Sequence, residues 1–138
     1  MDRFERLAGA LRRIPGLEVW ENEPMKRHTT FRIGGPARLM ALPRSRKEAA
    51  AAVRAATEVG IAPFFLGNGS NLLVADHGYE GFVLKACGLD QVREVNRRLR
   101  AESGITLARL ANAALGRGLT GLEFAHGIPG TLGGAVVM

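Results

Sequence analysis

Residues 66–73 of the chain read LGNGSNLL, a short polar stretch with two glycines between two apolar runs. The runs 63–66 and 72–74 are predicted as short buried strands. Glycines allow positive φ angles and close approach of a ligand to the backbone, and consecutive N–H groups can form an anion-binding nest. From the residues alone, two interpretations stay open: a tight turn, or a cradle for a diphosphate that needs no dedicated cation.

This segment differs from the two best-known phosphate-binding loops. Leu72 stands where a dinucleotide fingerprint has its third glycine, and the following residues have a strand pattern instead of a helical one. No Gly-Lys-Ser/Thr sequence follows, so the segment is not a P-loop either.

A second glycine-rich segment, GIPGTLGGA, occupies residues 127–135. Its glycines and the fixed φ of Pro129 leave a backbone with few side chains, which either turns sharply or lies flat against a planar ligand. Thr131 is a candidate N-cap for a helix that begins near Gly133. The apolar side chains at 128, 132, 136 and 137 predict that the segment is partly buried, while a flexible loop is the alternative.

The rest of the chain mixes helical and extended patterns. Apolar spacing and capping residues predict helices over 2–14, from Ser45 to Val59, and from Thr106 to Gly116 or Gly118. Strand patterns cover 29–33, 37–42, 82–84 and two segments within 90–104. The interspersed order indicates an α+β or α/β protein.

Composition limits the class of protein. A length of 138 residues with 46% apolar residues suits one domain, and the unpaired Cys87 fits a reducing compartment. No apolar run approaches the ~20 residues that span a bilayer, and charges interrupt the N-terminal apolar stretch, so we expect a cytoplasmic protein. The net charge of +6 suits an anionic partner, but aromatics at 6% are scarce for base stacking.

Metal binding is not expected. His28, His77 and His126 are far apart and lack the paired spacing of a metal site. We expect structural or solvent-exposed roles for all three.

Three sequence blocks together resemble a known family. They are the segment 66–73, the pair 121–124 and 127–135, and TTFRIGGPA at 29–37. In their order along the chain, and at the distances that separate them, these blocks are similar to those of the UDP-N-acetylenolpyruvoylglucosamine reductases. The likeness covers residues 22–138, which are expected to form the FAD-binding domain, and leaves 1–21 as a variable helical N-terminal extension.

The resemblance implies a fold and an activity. The fold is an α+β FAD-binding domain of the vanillyl-alcohol oxidase and p-cresol methylhydroxylase type. In this family, NADPH reduces a tightly bound FAD, which passes hydride to the enolpyruvyl ether of a UDP-sugar in peptidoglycan synthesis. The alternatives are another FAD-linked oxidoreductase of the same superfamily and, from a different class, a basic nucleic-acid-binding module.

The resemblance also assigns cofactor-binding residues. One group is expected to bind the FAD diphosphate through backbone N–H groups, and a second to lie along the flavin and its ribityl chain. The first group is Leu66, Gly67, Asn68, Gly69, Ser70, Asn71 and Leu72, and the second is Ile128, Pro129, Gly130, Gly133 and Gly134.

No catalytic residue is expected in this segment. Family members continue beyond the point that matches Met138, and their active-site Arg, Ser and Glu lie in that continuation. We therefore expect an N-terminal piece of a longer enzyme, truncated within the FAD-binding domain and inactive alone.

Overall fold

The structure is a computed structural model that describes residues 1–137. Four helices and six strands follow one another in a mixed order, which gives an α+β fold. The helices are α1 (Arg3–Arg12), α2 (Arg46–Glu58), α3 (Leu107–Gly116) and α4 (Leu132–Val137). The strands are β1 (Glu18–Pro24), β2 (Pro36–Leu42), β3 (Pro63–Leu66), β4 (Tyr79–Lys85), β5 (Val92–Val95) and β6 (Arg98–Ala101).

Strands β1 to β4 form one mixed sheet in the order β1-β2-β4-β3. β1 runs antiparallel to β2, whereas β2, β4 and β3 are parallel. The carboxyl ends of these three strands therefore lie at one edge of the sheet, where ligands of open sheets usually bind. Leu66 and Lys85 are register partners at this edge, and the segment 67–78 returns the chain from β3 to β4.

Helices α1 and α2 cover one face of this sheet. Leu7 and Leu11 of α1 are fully buried against Ala52 and Ala56 of α2 and Phe82 of β4. The small side chains of Ala52 and Ala56, both fully buried, allow α2 to approach the sheet closely. The helix in residues 2–14 is thus confirmed, and its apolar stripe packs within the domain.

The opposite face of the sheet is covered by irregular chain. Met25, Met40 and Val83 are buried there, and Leu72 and Val74 of the segment 67–78 pack against them. This packing fixes the path of the segment that contains the first glycine-rich loop.

Two strand predictions are wrong, and the predicted burial of the strand 63–66 is wrong too, because Phe64 and Phe65 are 40% and 63% exposed. Residues 29–33 form a turn, in which Arg32 N–H donates to the Thr29 carbonyl and Arg32 has a φ of 57°. Residues 72–74 belong to no strand and pair with none of the strands β1 to β6. In both cases the apolar side chains that produced the strand pattern lie in irregular chain, and those of Leu72 and Val74 pack on the face of the sheet.

The region after residue 90 forms a second unit of structure. β5 and β6 pair as an antiparallel ribbon, and Asn96 and Arg97 at its turn both have positive φ, the geometry of a two-residue hairpin turn. Thr106 caps α3 by accepting from the N–H of Arg109 at 3.2 Å. The predicted ribbon and helix are confirmed. Within residues 1–137, no helix is both long and apolar enough to cross a bilayer.

Candidate functional site

Three distant parts of the chain meet beyond the carboxyl ends of the parallel strands. They are the turn around Thr29, the glycine-rich loop 67–71 that follows β3, and the segment 128–134. These are the three blocks on which the family resemblance rests. Glycines allow these segments to meet, because a side chain at Gly67 or Gly69 would overlap the neighbouring segment.

Gly69 is the most constrained residue of the first loop. It is buried and has a φ of +72°. A Cβ at this position would overlap the carbonyl oxygen of His28. The Thr30 N–H donates to the Gly69 carbonyl at 3.1 Å. Only glycine fits here, since both the φ angle and the space exclude a side chain.

The two glycine-rich segments touch each other. A Cβ on Gly67 would lie 2.5 Å from Oγ1 of Thr131, and a Cβ on Gly130 would lie 3.4 Å from Oγ of Ser70. Thr131 is 4% exposed. The residues predicted separately for the diphosphate and for the flavin therefore form one continuous surface.

Backbone hydrogen bonds hold the second segment in place. Leu107 N–H donates to the Gly130 carbonyl at 3.1 Å, and Leu132 N–H donates to the Ile105 carbonyl at 2.9 Å. Gly133 N–H donates to the Ser103 carbonyl at 2.9 Å, and a Cβ on Gly133 would come within 3.0 Å of the Ser103 Cβ. These hydrogen bonds fix the backbone path of the segment against residues 103–107.

The first loop has the donors that an anion requires. Within residues 1–137, the amide N–H groups of Asn68 and Gly69 donate to no protein acceptor. Ser70 N–H donates to the side-chain oxygen of Asn68 at 3.3 Å, which folds the loop into a compact turn. Two consecutive N–H groups that have no acceptor among residues 1–137 are suited to bind an anion such as a diphosphate. The loop is thus a tight turn, and these N–H groups leave the prediction of a diphosphate cradle open.

The predicted flavin-side residues differ in exposure. Ile128 is 44% exposed, and Pro129 is exposed as well. Gly134 N–H donates to Oγ1 of Thr131 at 3.4 Å, which confirms Thr131 as the N-cap of α4. The prediction of partial burial is wrong for Val136 and Val137, which are 77% and 87% exposed. Of the four apolar residues in this region, Leu132 makes the core contact, with the cluster of α3.

A polar row that no sequence pattern indicated lies beside the loop. The Lys85 ammonium is 2.8 Å from Nδ1 of His28, and Nε2 of His28 is 3.0 Å from Oε1 of Glu23. The side chains of His28 and Glu23 are 11% and 15% exposed. The one available signal was the position of Lys85 directly after the apolar run 82–84, at the end of a strand.

Comparisons with known proteins identify the family of this chain. The family described as FAD binding domain matches residues 37–138. The chain is 50% identical over 121 residues to a UDP-N-acetylenolpyruvoylglucosamine reductase of Caldanaerobacter subterraneus subsp. tengcongensis, covering 88% of this chain and 40% of the relative. It is 49% identical over 132 residues to the same enzyme of Moorella thermoacetica, covering 96% and 44%. The chain thus spans less than half the length of these relatives.

Solved structures show the same fold. The reductase of Thermus caldophilus superposes with a TM-score of 0.65 at 32% identity, covering 87% of this chain and 41% of that chain. p-Cresol methylhydroxylase superposes with a TM-score of 0.59 at 10% identity, covering 85% of this chain and 25% of that chain, which is a likeness of fold alone. The α+β fold is therefore that of the vanillyl-alcohol oxidase and p-cresol methylhydroxylase type. On the match over residues 37–138, the chain belongs to the FAD binding domain family.

Proposed function

We propose that this chain is the FAD-binding part of a UDP-N-acetylenolpyruvoylglucosamine reductase. The proposed reaction converts the enolpyruvyl ether of UDP-N-acetylglucosamine to UDP-N-acetylmuramate with NADPH, a step of peptidoglycan synthesis. The observation that supports the proposal is the close approach of Gly67 to Thr131 and of Gly130 to Ser70, which brings together two of the three sequence blocks that resemble this enzyme family. The relatives at 49–50% identity support it.

In this proposal, the loop after β3 binds the diphosphate of FAD. The residues are Leu66, Gly67, Asn68, Gly69, Ser70, Asn71 and Leu72. The amide N–H groups of Asn68 and Gly69, which have no acceptor among residues 1–137, donate to the phosphate oxygens. The glycines keep Cβ atoms out of the volume between the loop, His28 and Thr131.

The second segment lies along the flavin and its ribityl chain. Its residues are Ile128, Pro129, Gly130, Gly133 and Gly134. Ile128 and Pro129 present an exposed apolar surface that suits the face of an aromatic ring system. The anchoring of Gly130 and Gly133 on 103–107 orients this surface relative to the loop.

The role of residues 1–137 in the proposed enzyme is to bind and orient the cofactor. When bound, FAD supplies hydride transfer between NADPH and the UDP-sugar. None of the described residues is assigned a catalytic role. We propose residues 22–138 as the FAD-binding domain and 1–21 as an N-terminal extension whose helix closes one face of the sheet. Since NADPH and UDP-sugars are cytoplasmic metabolites, the proposal places the enzyme in the cytoplasm.

The test is a spectrum of the whole protein followed by a substrate assay. We expect a flavin absorbance band in purified protein, and NADPH oxidation that depends on UDP-N-acetylglucosamine enolpyruvate. A yellow protein that oxidises NADPH only with another acceptor would show a different oxidoreductase of the superfamily. Failure of the folded whole protein to bind FAD would contradict the proposal altogether.

A further inference from the structure

Lys85 lies next to the proposed diphosphate loop. It is the last residue of β4 and the register partner of Leu66, after which the loop begins. Side chains alternate along a strand, so Lys85 shares its face with Val83. That is the face on which Met25 and Leu72 pack, and over which the segment 67–78 passes.

Two side chains hold the Lys85 ammonium in place. An ammonium group only donates hydrogen bonds, so Nδ1 of His28, 2.8 Å away, accepts from it. The ring proton is then on Nε2, which donates to Oε1 of Glu23 at 3.0 Å. Trp20 flanks the His28 ring at a centroid distance of 6.2 Å, and Arg27 lies 3.8 Å from Oε1 of Glu23. Packing and hydrogen bonds thus fix the row.

In the part of the chain that the structure describes, the positive charge of Lys85 has no partner of opposite charge. Among residues 1–137, no carboxylate oxygen comes within 4.0 Å of its ammonium nitrogen. The residue is half-buried, and His28 occupies one of its three donor positions. A partly desolvated cation with two free donors is stabilised when an anion binds beside it.

His28 connects this cation to the loop. Its ring accepts from Lys85, while its backbone carbonyl lies against Gly69 at the position that a Cβ would fill. The same residue therefore determines where the charge is held and how closely the loop approaches. A shift of His28 would move both.

We propose that Lys85 binds the diphosphate of FAD at the loop 67–71, and that His28 and Glu23 are positioning residues for its ammonium group. The inference rests on the proposed placement of the diphosphate at this loop. It adds a cation to a site whose other donors are backbone N–H groups and small polar side chains.

The first test compares two flavins on the flavin-free whole protein. FAD and riboflavin share the ring system, but only FAD carries the diphosphate. We expect Lys85→Met to weaken FAD binding about tenfold or more, measured by flavin fluorescence, and to leave riboflavin binding unchanged. Lys85→Arg should restore most of the FAD affinity. The exposed Lys47 of α2 provides the matched control, Lys47→Met, which should bind FAD like the wild type.

Salt dependence provides a second measurement that does not require riboflavin binding. A cation that contacts phosphate makes the affinity fall with salt, so the slope of log affinity against log salt should be shallower in Lys85→Met than in the wild type. His28→Ala should weaken FAD binding too, but add little in the Lys85→Met background. Equal loss of FAD and riboflavin, or an unchanged salt slope, would overturn the proposal.

Two further outcomes separate the sources of failure. UDP binding to the FAD-loaded protein should be the same in Lys85→Met and the wild type. If only UDP binding weakened, Lys85 would serve the diphosphate of the nucleotide sugar and the assignment to FAD would be wrong. If the wild type itself bound no FAD, the proposed function would fail, whereas equal binding by the wild type and Lys85→Met would refute only the role of Lys85.

Discussion

Gly67 and Thr131 lie so close together that a Cβ on Gly67 would be 2.5 Å from the threonine Oγ1. One residue follows β3 and the other precedes α4, and neither belongs to a regular element. This contact joins the two glycine-rich segments of the candidate cofactor site. Gly67 contributes only backbone to it, and Thr131 contributes its side chain. Its energetic coupling can be measured.

Gly67→Ala should destabilise the protein by about 1–3 kcal/mol, because the added methyl group forces Thr131 or the loop to move. Thr131→Ala removes the obstructing hydroxyl and methyl groups, so the double variant should recover part of that loss. Urea unfolding of the four proteins gives the coupling energy, for which we expect about 1 kcal/mol or more. Gly116→Ala, with open space around its Cβ, is the control. Simple additivity would mean that the two segments are not in contact.

Gly69→Ala should weaken both stability and FAD affinity, and Gly60→Ala should affect stability alone. The two glycines have nearly the same φ, 72° and 71°, so each substitution costs about 1–2 kcal/mol for the left-handed conformation. Gly60 has open space around it, whereas a Cβ on Gly69 meets the His28 carbonyl. Thermal unfolding and FAD titration of both variants separate the two effects. Equal FAD affinities would argue against the loop as the diphosphate site.

Leu11→Ala should destabilise the domain by about 2–5 kcal/mol, because Leu11 is fully buried between α1 and the sheet. Leu115→Ala on α3 is the matched control, since that side chain is 76% exposed and its loss should change stability little. Chemical denaturation measures both. If the two substitutions had equal effects, α1 would be a loosely attached extension and not part of the core.

Asp2 should stabilise the protein at neutral pH and lose this effect in acid. Its pKa lies below the ordinary value of 3.8, because its carboxylate accepts from the N–H of Glu5 and from Arg38. A lowered pKa in the folded state means that the stabilisation is present above 3.8 and disappears as the pH falls through the lower, folded value.

The measurement is the unfolding free energy of Asp2→Asn relative to the wild type across this range. The difference should shrink as the pH falls below about 4, where the ordinary pKa of 3.8 lies. Asp76→Asn is the control, because the Asp76 carboxylate has no ion pair among residues 1–137. A difference for Asp2→Asn that stays constant down to strongly acidic pH would contradict the assignment.

Local signals in the sequence were sufficient for most of the regular elements. Asp2 with Glu5, Ser45 with Glu48, and Thr106 each begin a helix where their capping chemistry predicts one. The ribbon turns at Asn96, a residue type that tolerates positive φ. These features depend on neighbours within a few residues, which is why they can be read from the sequence.

The features that could not be predicted from the sequence depend on tertiary packing. Residues 29–33 and 72–74 have strand-like composition, but both lie outside the sheet, and Leu72 and Val74 pack on its face instead. The partnership of Lys85 with His28 joins a strand end to a distant turn, and no local pattern encodes such a contact. The sequence blocks were sufficient to predict the position of the candidate site. The position of Lys85 beside it could be found only from the three-dimensional structure.

The meeting of three distant segments at the loop 67–71 also has a kinetic consequence. Contacts between remote parts of a chain form only after the entropy of closing long loops has been overcome, so they form late in folding. Until Thr30 and Thr131 pack against the loop, it lacks the hydrogen bond from Thr30 N–H to the Gly69 carbonyl. It also lacks the contact between Gly67 and the Thr131 side chain. If FAD binds at this loop as proposed, it binds the folded molecule and so shifts the folding equilibrium toward it.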